Sequence, residues 1–482
     1  MKKSMSISAA TLLAAAACYA ADDGRKPNII LILADDMGYG DIQRLNAESK
    51  ISTPNLNRLC DDGMRFTEAH SNSAVSTPTR YGILTGRYCF RSNLKKGVLN
   101  GYSTPLIERE RPTVASILKS NGYSTACIGK WHLGLGWNRI DTTQNASGDN
   151  VDFTRPLSYT PNDAGFDESY ILPASLDMPP YVYVQNRNVT DTHLIDVPKK
   201  SSPRGIFWRD GKAAQSFSNS SCLDHFTGKA KEYIAKHASD KQPFFLYFPL
   251  TAPHTPWLPA ERFRGKSGAG TYGDFVAHVD DVVGQLVAML DSLGISDETM
   301  LVFTSDNGAD WKPEDKADYP HEANYIWSGR KSDAWDAGHH VPLIVKYPDI
   351  VKQGSSSNAT ACLTDITATF AGMTATPLPD GAAEDSESFR QVLTGQSNVA
   401  RNVIIHHSIN GKFAIRQGKW KLLDCSGSGG WSAAENDSLP PVQLYDMEAD
   451  PKESNNLCAQ YPQKAEELKN LLNAIIGEEK ND

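Results

Sequence analysis

The sequence predicts an α/β protein with a central mixed, mostly parallel sheet flanked by helices, followed by a smaller C-terminal part of antiparallel strands and a helix. Three observations predict this fold: short runs that are apolar on both faces, helical patterns between them, and a change of character after Pro377. Runs apolar on both faces are typical of parallel strands covered by helices. Their alternation with helical patterns favours helices on both faces of one sheet.

The predicted strands end in polar clusters. The apolar runs are Asn28 to Leu33, Phe244 to Leu250, Met300 to Thr304 and Val341 to Lys346. The first three lead into Asp35 and Asp36, into His254, and into Asp306 and Asn307, respectively. Because ligands of open α/β sheets bind beyond the carboxyl ends of the strands, we expect the functional site at this edge.

The remaining segments complete the predicted organisation. Helical patterns cover Thr113 to Asn121, His225 to Ala238 and Tyr272 to Leu293. Trp137 to Ala213 is rich in Pro, Asn and aromatic residues and is interpreted as a long loop region over the site. The C-terminal elements are predicted as strands in Phe413 to Leu423 and Gln443 to Tyr445, a loop from Ser426 to Ser432, and a helix from Tyr461 to Ile476. We therefore expect a catalytic domain over 26–376 and a C-terminal subdomain over 377–482.

The amino terminus has the pattern of a bacterial export signal. Lys2 and Lys3 precede an apolar run from Ile7 to Ala17, and the chain turns polar at Asp22. This pattern predicts a signal peptide over 1–20 and a periplasmic or secreted protein, with lipid attachment at Cys18 as the alternative. The other cysteines show no zinc-type spacing.

Composition excludes two classes of protein. The formal net charge is -9, which argues against a general nucleic-acid binder, and no run is long and apolar enough to predict a transmembrane segment. An acidic protein does not attract an anionic substrate through its overall field, so such a substrate needs a local basic pocket.

Acidic residues at two strand ends predict a metal site. Asp35, Asp36 and Asp306, with the amide of Asn307, offer the oxygen-rich ligand set that Ca²⁺ prefers. Each cluster alone is also typical of a strand that ends in a turn. Their joint occurrence favours the metal.

Ser76 and five basic residues are the candidates for chemistry. Ser76 lies in a Ser/Thr-rich loop that opens a helix, with Pro78 at an early helical position. Without a partner base it would be a weak nucleophile. Lys130 and His132 share one side of an extended segment. A basic pocket is predicted from Arg80, Lys130, His132, His254 and Lys331.

Six motifs in this order resemble the type I sulfatase family of the alkaline-phosphatase-like superfamily. They are ADD (34–36), SxPxR with LTGR (76–87), GKWHLG (129–134), TAPH (251–254), SDNG (305–308), and Lys331 before DAGHHVPLIV (336–345). Six ordered segments are a far more specific signal than one motif. The resemblance runs from about Lys26 to the end and implies the alkaline-phosphatase-like fold.

The resemblance implies a role for each of these residues. Asp35, Asp36, Asp306 and Asn307 would bind Ca²⁺. A maturing enzyme would convert Ser76 to formylglycine (3-oxoalanine), which acts as a hydrated aldehyde. Arg80 and Lys130 would steady the diol and the sulfate, His132 would remove a proton from the diol, and His254 with Lys331 would hold sulfate oxygens and protonate the departing sugar oxygen.

Two positions depart from the family pattern. Thr79 stands where the family has Ser or Ala, and the segment after Lys331 reads Trp335-Asp336-Ala337-Gly338 rather than Trp-Glu-Gly-Gly. Ser rather than Cys at position 76 resembles the bacterial branch, which is matured by a radical enzyme in the cytoplasm before export.

The resemblance also implies a sulfated carbohydrate as substrate. Enzymes for galactose or N-acetylgalactosamine sulfate esters are the nearest comparison, acting at chain ends of host glycans such as mucin or glycosaminoglycans, at the 6-O position first, with 4-O or 3-O as alternatives. The stretch Ala174 to Tyr181 is the predicted specificity loop. The candidate substrate-binding residues are Asp177, Tyr181, Trp208, Arg209, Trp311 and His321, with Lys312 and His406 as further ones. Each is also explained by packing.

Two other functions fit parts of the pattern. A phosphodiesterase or phosphonate monoester hydrolase of the same superfamily would use the same residues on phosphorus. A non-catalytic protein that binds sulfated glycans would keep Ser76 unmodified, but the full set of catalytic residue types argues against it.

Overall fold

The computed structural model describes residues 26–240, 242–348 and 350–477. The predicted signal peptide and Cys18 lie outside the described residues. Within the described part of the chain, no helix has the length and apolarity needed to cross a membrane.

The strands and helices follow the chain in this order. The strands are β1 (Asn28–Asp35), β2 (Met64–Phe66), β3 (Ala69–His70), β4 (Ser124–Lys130), β5 (Glu168–Leu172), β6 (Val184–Gln185), β7 (Asn188–Val189), β8 (Leu194–Val197), β9 (Gly211–Ala214), β10 (Phe244–Pro253), β11 (Thr299–Ser305), β12 (Leu343–Lys346), β13 (Ser355–Ser357), β14 (Ala361–Cys362), β15 (Val403–His407), β16 (Phe413–Gln417), β17 (Trp420–Leu423) and β18 (Gln443–Asp446). The helices are α1 (Pro54–Asp62), α2 (Ser76–Thr85), α3 (Val114–Ser120), α4 (Cys222–Asp240), α5 (Gly270–Leu293), α6 (Pro313–Asp318), α7 (Ile366–Met373), α8 (Arg390–Leu393) and α9 (Pro462–Gly477).

A ten-stranded mixed sheet forms the centre of the fold. Its strand order is β13-β2-β12-β11-β1-β10-β4-β5-β6-β7. The pairings from β11 through β1, β10 and β4 to β5 are all parallel, whereas β12 and β6 pair antiparallel with their neighbours. Every residue of β1, β10 and β11 is buried, as expected for strands covered on both faces.

The two faces of β1 contact two separate hydrophobic cores. Ile29, Leu31 and Leu33 pack with residues of α2, α3 and α7, whereas Ile30, Ile32 and Ala34 pack with residues of α1, α4 and α5. Because successive side chains of a strand point to opposite faces, one apolar run supplies both cores. The predicted α/β architecture with helices on both faces is confirmed.

A four-stranded antiparallel sheet follows near the C-terminus. Its order is β15-β16-β17-β18. Leu468 and Leu472 of α9 pack on the same core as Ile415 and Leu422 of this sheet. The smaller C-terminal sheet with its helix is therefore confirmed.

The long segment between Trp137 and Ala213 is more ordered than expected. It contains β5 to β9, and β5 pairs parallel with β4 to extend the main sheet. The interpretation of the whole segment as a loop region is wrong. These strands are short; β5 mixes buried with partly exposed residues and β8 has no buried residue, so they lack the continuous apolar run that identifies a central strand.

Candidate active site

The acidic side chains meet at the carboxyl ends of β1 and β11. These neighbouring strands are parallel and in register, with Ala34 opposite Ser305, so Asp35 and Asp306 leave the sheet together. Asp35, Asp36 and Asp306 are buried and offer oxygen atoms within 4.8 Å of one another. Asp36 adopts a φ of 65°, a backbone conformation uncommon outside glycine.

Asn307 completes this group. Its Nδ2 donates to Oδ1 of Asp36 at 2.8 Å, whereas its Oδ1 is buried without a hydrogen-bond partner. A buried carbonyl oxygen without a donor costs free energy unless a cation or water satisfies it. Burial and the adjacent Asp35 carboxylate raise the pKa of Asp306. These observations fit a hard cation with oxygen ligands.

Ser76 is placed against this acidic group by a helix start. It is the first residue of α2, after Val75 in extended conformation. Its Oγ donates to Oδ2 of Asp306, lies 3.2 Å from Oδ1 of Asp35, and accepts from Nζ of Lys130 at 3.1 Å. The reactive oxygen position therefore lies between anionic and cationic groups.

Three cations neutralise the carboxylates. Lys130, at the end of β4, donates to both oxygens of Asp35 at 2.8 Å. Arg80, one turn after Ser76 on α2, donates to Oδ2 of Asp306 at 2.8 Å, and Lys331 donates to Oδ2 of Asp36 at 2.7 Å. Burial would raise the pKa of Asp35, but Lys130 and the other cations hold it well below its usual value.

His132 is held in one tautomer. Its Nε2 lies 2.7 Å from the carbonyl oxygen of Leu99, and because a carbonyl only accepts, Nε2 carries the hydrogen. Its Nδ1 is buried without a hydrogen-bond partner. Burial and then the cations Lys130 and Arg80 lower the pKa of His132 well below its usual value, so the ring is neutral and presents a free lone pair.

His254 follows β10 on the opposite wall. Its Nδ1 donates to the carbonyl oxygen of Thr255 at 2.6 Å, and its Nε2 lies 3.6 Å from Oδ2 of Asp36. Oγ of Ser175, which the sequence analysis did not single out, lies 3.2 Å from Nδ1 of His254.

A cavity of about 430 Å³ opens above these residues. Ser76, His132, His254 and Lys331 line it. All six predicted catalytic residues and all four predicted metal ligands therefore come together through the contacts above. They come from distant parts of the chain: the acidic residues, Lys130, His132 and His254 lie at or after strand ends on one edge of the sheet, Ser76 and Arg80 lie on α2, and Lys331 lies in the segment before β12.

Three of the candidate substrate-binding residues line the cavity, and one of them is Lys312. The other two are Asp177 and Arg209, and an Nη1 of Arg209 donates to Oδ2 of Asp177. Oδ1 of Asp177 is buried without a hydrogen-bond partner and lies 3.9 Å from Nδ1 of His254. The pair therefore presents a free acceptor and guanidinium donors beside His254.

Apart from Lys312, the other candidates are engaged by the protein and are not among the described residues that line the cavity. The hydroxyl of Tyr181 donates to the carbonyl oxygen of Arg209 at 2.7 Å, and Nε1 of Trp208 donates to that of Pro198 at 3.0 Å. Nε1 of Trp311 donates to the carbonyl oxygen of His321 at 2.9 Å, and His321 pairs with Asp41. His406 lies elsewhere, stacked on His339.

The C-terminal sheet also contributes to the cavity. Trp431, in the predicted Gly-Ser loop, lines it with 47% of its surface exposed. The position of Trp431 depends on how its loop packs on the main domain. The sequence analysis therefore predicted a loop for this segment but no role for Trp431.

Comparison with known proteins identifies the relationship. A family model described as Sulfatase matches residues 27–376, and a model described as N-sulphoglucosamine sulphohydrolase, C-terminal, matches residues 330–481. The chain is 35% identical to an N-acetylgalactosamine-6-O-sulfatase of Bacteroides thetaiotaomicron over 94% of each protein. It is 29% identical to human arylsulfatase A, covering 90% of this chain and 83% of that protein.

A solved structure agrees with the sequence comparison. A Bacteroides thetaiotaomicron protein, described in the context of glycosaminoglycan metabolism, superimposes with a TM-score of 0.84 at 33% identity. The match covers 94% of this chain and 100% of that one.

Proposed function

The chain belongs to the sulfatase family and is a sulfuric ester hydrolase, and we propose that it removes 6-O-sulfate from galactose or N-acetylgalactosamine at the ends of host glycans. The family expected from the six motifs is confirmed. The 4-O and 3-O esters are the alternative positions. We further propose export to the periplasm or the exterior of the cell.

The acidic group fits a calcium ion. Asp35, Asp36, Asp306 and Asn307 would hold it, and the unpartnered Oδ1 of Asn307 supports this assignment. Bound there, Ca²⁺ would supply positive charge against the oxygens of the sulfate group.

The position of Ser76 fits a residue that is modified before it acts. Among the described residues, no histidine lies in hydrogen-bond contact with its Oγ, which contacts Asp306, Asp35 and Lys130 instead; this is a poor environment for a serine alkoxide nucleophile. Conversion to formylglycine by a maturing enzyme would supply an oxygen nucleophile of higher reactivity. Lys130 and Arg80 would orient the group and offset its charge.

The two histidines suit opposite proton transfers. His132 presents a neutral Nδ1 lone pair to the cavity and would accept a proton at that atom. His254 and Lys331 lie beside Asp36 on the other wall and would bind sulfate oxygens and protonate the departing sugar oxygen. His132 would therefore act as the base, and His254 with Lys331 as the acid.

The Asp177–Arg209 pair is the observation that supports a sugar substrate. Both residues line the cavity next to His254, and Oδ1 of Asp177 has no hydrogen-bond partner among the described residues. One acceptor and several donors in a fixed arrangement suit adjacent hydroxyls of a pyranose. The name of the 35% identical relative supports N-acetylgalactosamine 6-sulfate as the first choice.

Sulfate release from a panel of monosulfated sugars tests this proposal. The panel contains galactose and N-acetylgalactosamine sulfated at O3, O4 or O6, glucose and N-acetylglucosamine 6-sulfates as epimeric controls, and matched phosphate monoesters, diesters and phosphonates. We expect the 6-sulfates of galactose or N-acetylgalactosamine to have the highest kcat/KM. A preference for another position, or for the gluco epimers, contradicts the substrate assignment. A preference for phosphorus esters supports the phosphodiesterase alternative.

A further inference from the structure

A lysine and a tryptophan line the cavity without contacting the groups that would handle the sulfate. They are Lys312, from the segment after β11, and Trp431, from the loop between β17 and β18. Hydrogen bonds connect the segments that carry these two residues to Lys331 and its neighbour Ser332. The N–H of Lys331 donates to the carbonyl oxygen of Ala309 at 3.1 Å, and the N–H of Trp431 donates to Oγ of Ser332 at 3.0 Å.

The loop that carries Trp431 is fixed on a buried carboxylate. Oγ of Ser428 and the N–H of Ser432 donate to Oδ1 of Asp333 at 2.9 and 3.1 Å. Gly430 lies so close to this segment that a Cβ there would approach the carbonyl oxygen of Ser332 to 2.4 Å. The loop is therefore held in place, while the Trp431 side chain remains 47% exposed. A rigid, exposed indole in a cavity is a surface on which a sugar ring packs.

Lys312 is distinguished by its lack of a partner. The other lysine and the arginines among the described cavity-lining residues form ion pairs: Arg204 with Asp315, Arg209 with Asp177, and Lys331 with Asp36. No hydrogen bond or ion pair involves the ammonium of Lys312 among the described residues. Solvated lysines are common on surfaces, but this one faces a concave substrate-binding space.

Two acids close to Lys312 in sequence, Asp310 and Asp315, pair with arginines, and the exposed Glu314 is not among the described residues that line the cavity. Asp310 lines the cavity and pairs with Arg330, whose guanidinium also lies 5.5 Å from the centroid of the Trp431 ring. Asp315 pairs with Arg204 at 2.6 Å. Lys312 therefore leaves a local positive charge in a protein whose formal net charge is -9.

We propose that Trp431 and Lys312 form a second subsite, which binds a negatively charged sugar next to the sulfated one. The indole packs against the ring of the neighbouring sugar, and the ammonium pairs with its anionic group, either a hexuronate carboxylate or a second sulfate. This inference rests on the proposed function, because it takes the sulfated sugar to be bound at Asp177 and His254. It assigns to the enzyme acidic oligosaccharides rather than neutral ones.

Steady-state kinetics on four 6-sulfated substrates tests the subsite. They are the monosaccharide and three disaccharides. In the two acidic disaccharides the second sugar is a hexuronate or a hexose that carries its own sulfate, and in the neutral disaccharide it is an unsulfated hexose. We expect the acidic disaccharides to exceed the neutral one in kcat/KM by about tenfold, the value of one charge-assisted hydrogen bond at a partly exposed site. The two acidic arms distinguish carboxylate from sulfate as the preferred anion.

Substitutions of Lys312 and Trp431 test which residue is responsible for each difference in kcat/KM. Lys312→Ala should lower the ratio of kcat/KM between acidic and neutral disaccharides to near one, mainly through KM, and weaken its salt dependence. Trp431→Ala should lower kcat/KM for every disaccharide relative to the monosaccharide by about tenfold, with partial retention in Trp431→Phe. Lys316→Ala is the matched control, because Lys316 lies on α6, which begins directly after Lys312, and pairs with Glu322 away from the described cavity-lining residues.

The proposal is overturned if the acidic and neutral disaccharides have equal kcat/KM, or if Lys312→Ala changes the ratio no more than Lys316→Ala. Failure of the proposed function is a separate outcome, in which the monosaccharide 6-sulfate itself is not hydrolysed. In that case calorimetry of the acidic and neutral disaccharides with Ser76→Ala protein decides the subsite. Equal affinity for both overturns it.

Discussion

Nζ of Lys130 lies 2.8 Å from each carboxylate oxygen of Asp35, and both side chains are buried. Removing one member of a buried pair leaves an uncompensated charge, which costs about 3–5 kcal/mol. We therefore expect Lys130→Ala to lose sulfatase activity and to lower the free energy of unfolding by that order, measured by denaturant titration.

The control for this prediction is a lysine in an exposed pair. Lys419 donates to Asp446 with 44% of its side chain exposed, so Lys419→Ala should change stability by less than about 1 kcal/mol. Equal losses in the two variants would contradict the assigned importance of the buried pair.

Modification of Ser76 predicts a mass change in active protein. Trypsin releases the peptide Phe66 to Arg80, and formylglycine makes it lighter by two hydrogen atoms than its sequence. Fragmentation should place the change at Ser76 and not at Ser71 or Ser73 in the same peptide. In the Ser76→Ala protein, this peptide should have the mass calculated from the variant sequence, and the protein should have no activity. Fully active protein with an intact Ser76 would refute the modification.

Calcium binding predicts a ligand-dependent stability. A ligand that binds only the folded state stabilises it by about 2.7 kcal/mol at a hundredfold excess over Kd, so Ca²⁺ should raise the Tm of chelator-treated protein. Asn307→Ala should reduce this shift. Asn324→Ala is the control, because its Oδ1 accepts from the N–H of Ala309 at 2.8 Å: its Tm should start lower yet respond fully to Ca²⁺. The metal assignment fails if Asn307→Ala responds as strongly as Asn324→Ala.

The Asp177–Arg209 pair predicts a substrate-dependent loss. Asp177→Asn removes a charged acceptor and should reduce kcat/KM for the preferred sugar sulfate by about ten- to a hundredfold. The loss should be smaller for an aryl sulfate, which has no sugar hydroxyls. Tyr181→Phe, which removes a hydroxyl that donates to the backbone of Arg209, should have a lesser effect. A uniform loss on both substrates would assign the pair a role in chemistry instead.

Buried histidines predict destabilisation in acid. Burial lowers the pKa of His407 to about 4 from 6.5, and burial with His340 lowers that of His70 to about 4. Because these pKa values are lower in the folded state, the stability they contribute is present above about pH 6.5 and is lost as the pH falls towards 4.

Replacement of His407 tests whether stability is lost in this direction of pH. His407→Gln removes one titration and should reduce the loss of unfolding free energy between about pH 7 and pH 4.5 by up to about 3 kcal/mol. The exposed His193 provides the comparison, since His193→Gln removes no buried histidine and should change the acid loss less than His407→Gln does. A steeper acid loss in His407→Gln than in the parent protein would contradict the argument.

The sequence predicts the long strands in which every residue is buried. β1, β10 and β11 were identified because both faces of each strand are apolar, and their polar ends pointed to Asp35, Asp36, His254, Asp306 and Asn307. β5 to β9 were missed because their partly exposed residues carry no such signal. The positions of Ser175, Lys312 and Trp431 around the cavity depend on packing between segments far apart in the chain. Lys312 was named as a candidate, Ser175 lies within the predicted specificity loop without being singled out, and nothing local indicated Trp431.

The attachment of Ser428 and Ser432 to Asp333 has a consequence for biosynthesis. One wall of the cavity comes from residues that leave the ribosome about a hundred positions after Lys331. The large sheet can pair its strands beforehand, but the binding surface for sugars beyond the first is complete only when the C-terminal sheet has docked. The C-terminal sheet also contacts the segment before Ser76, because the N–H of Ala74 donates to the carbonyl oxygen of His407 at 3.0 Å, so both parts of the site depend on the last segment of the chain to be synthesised.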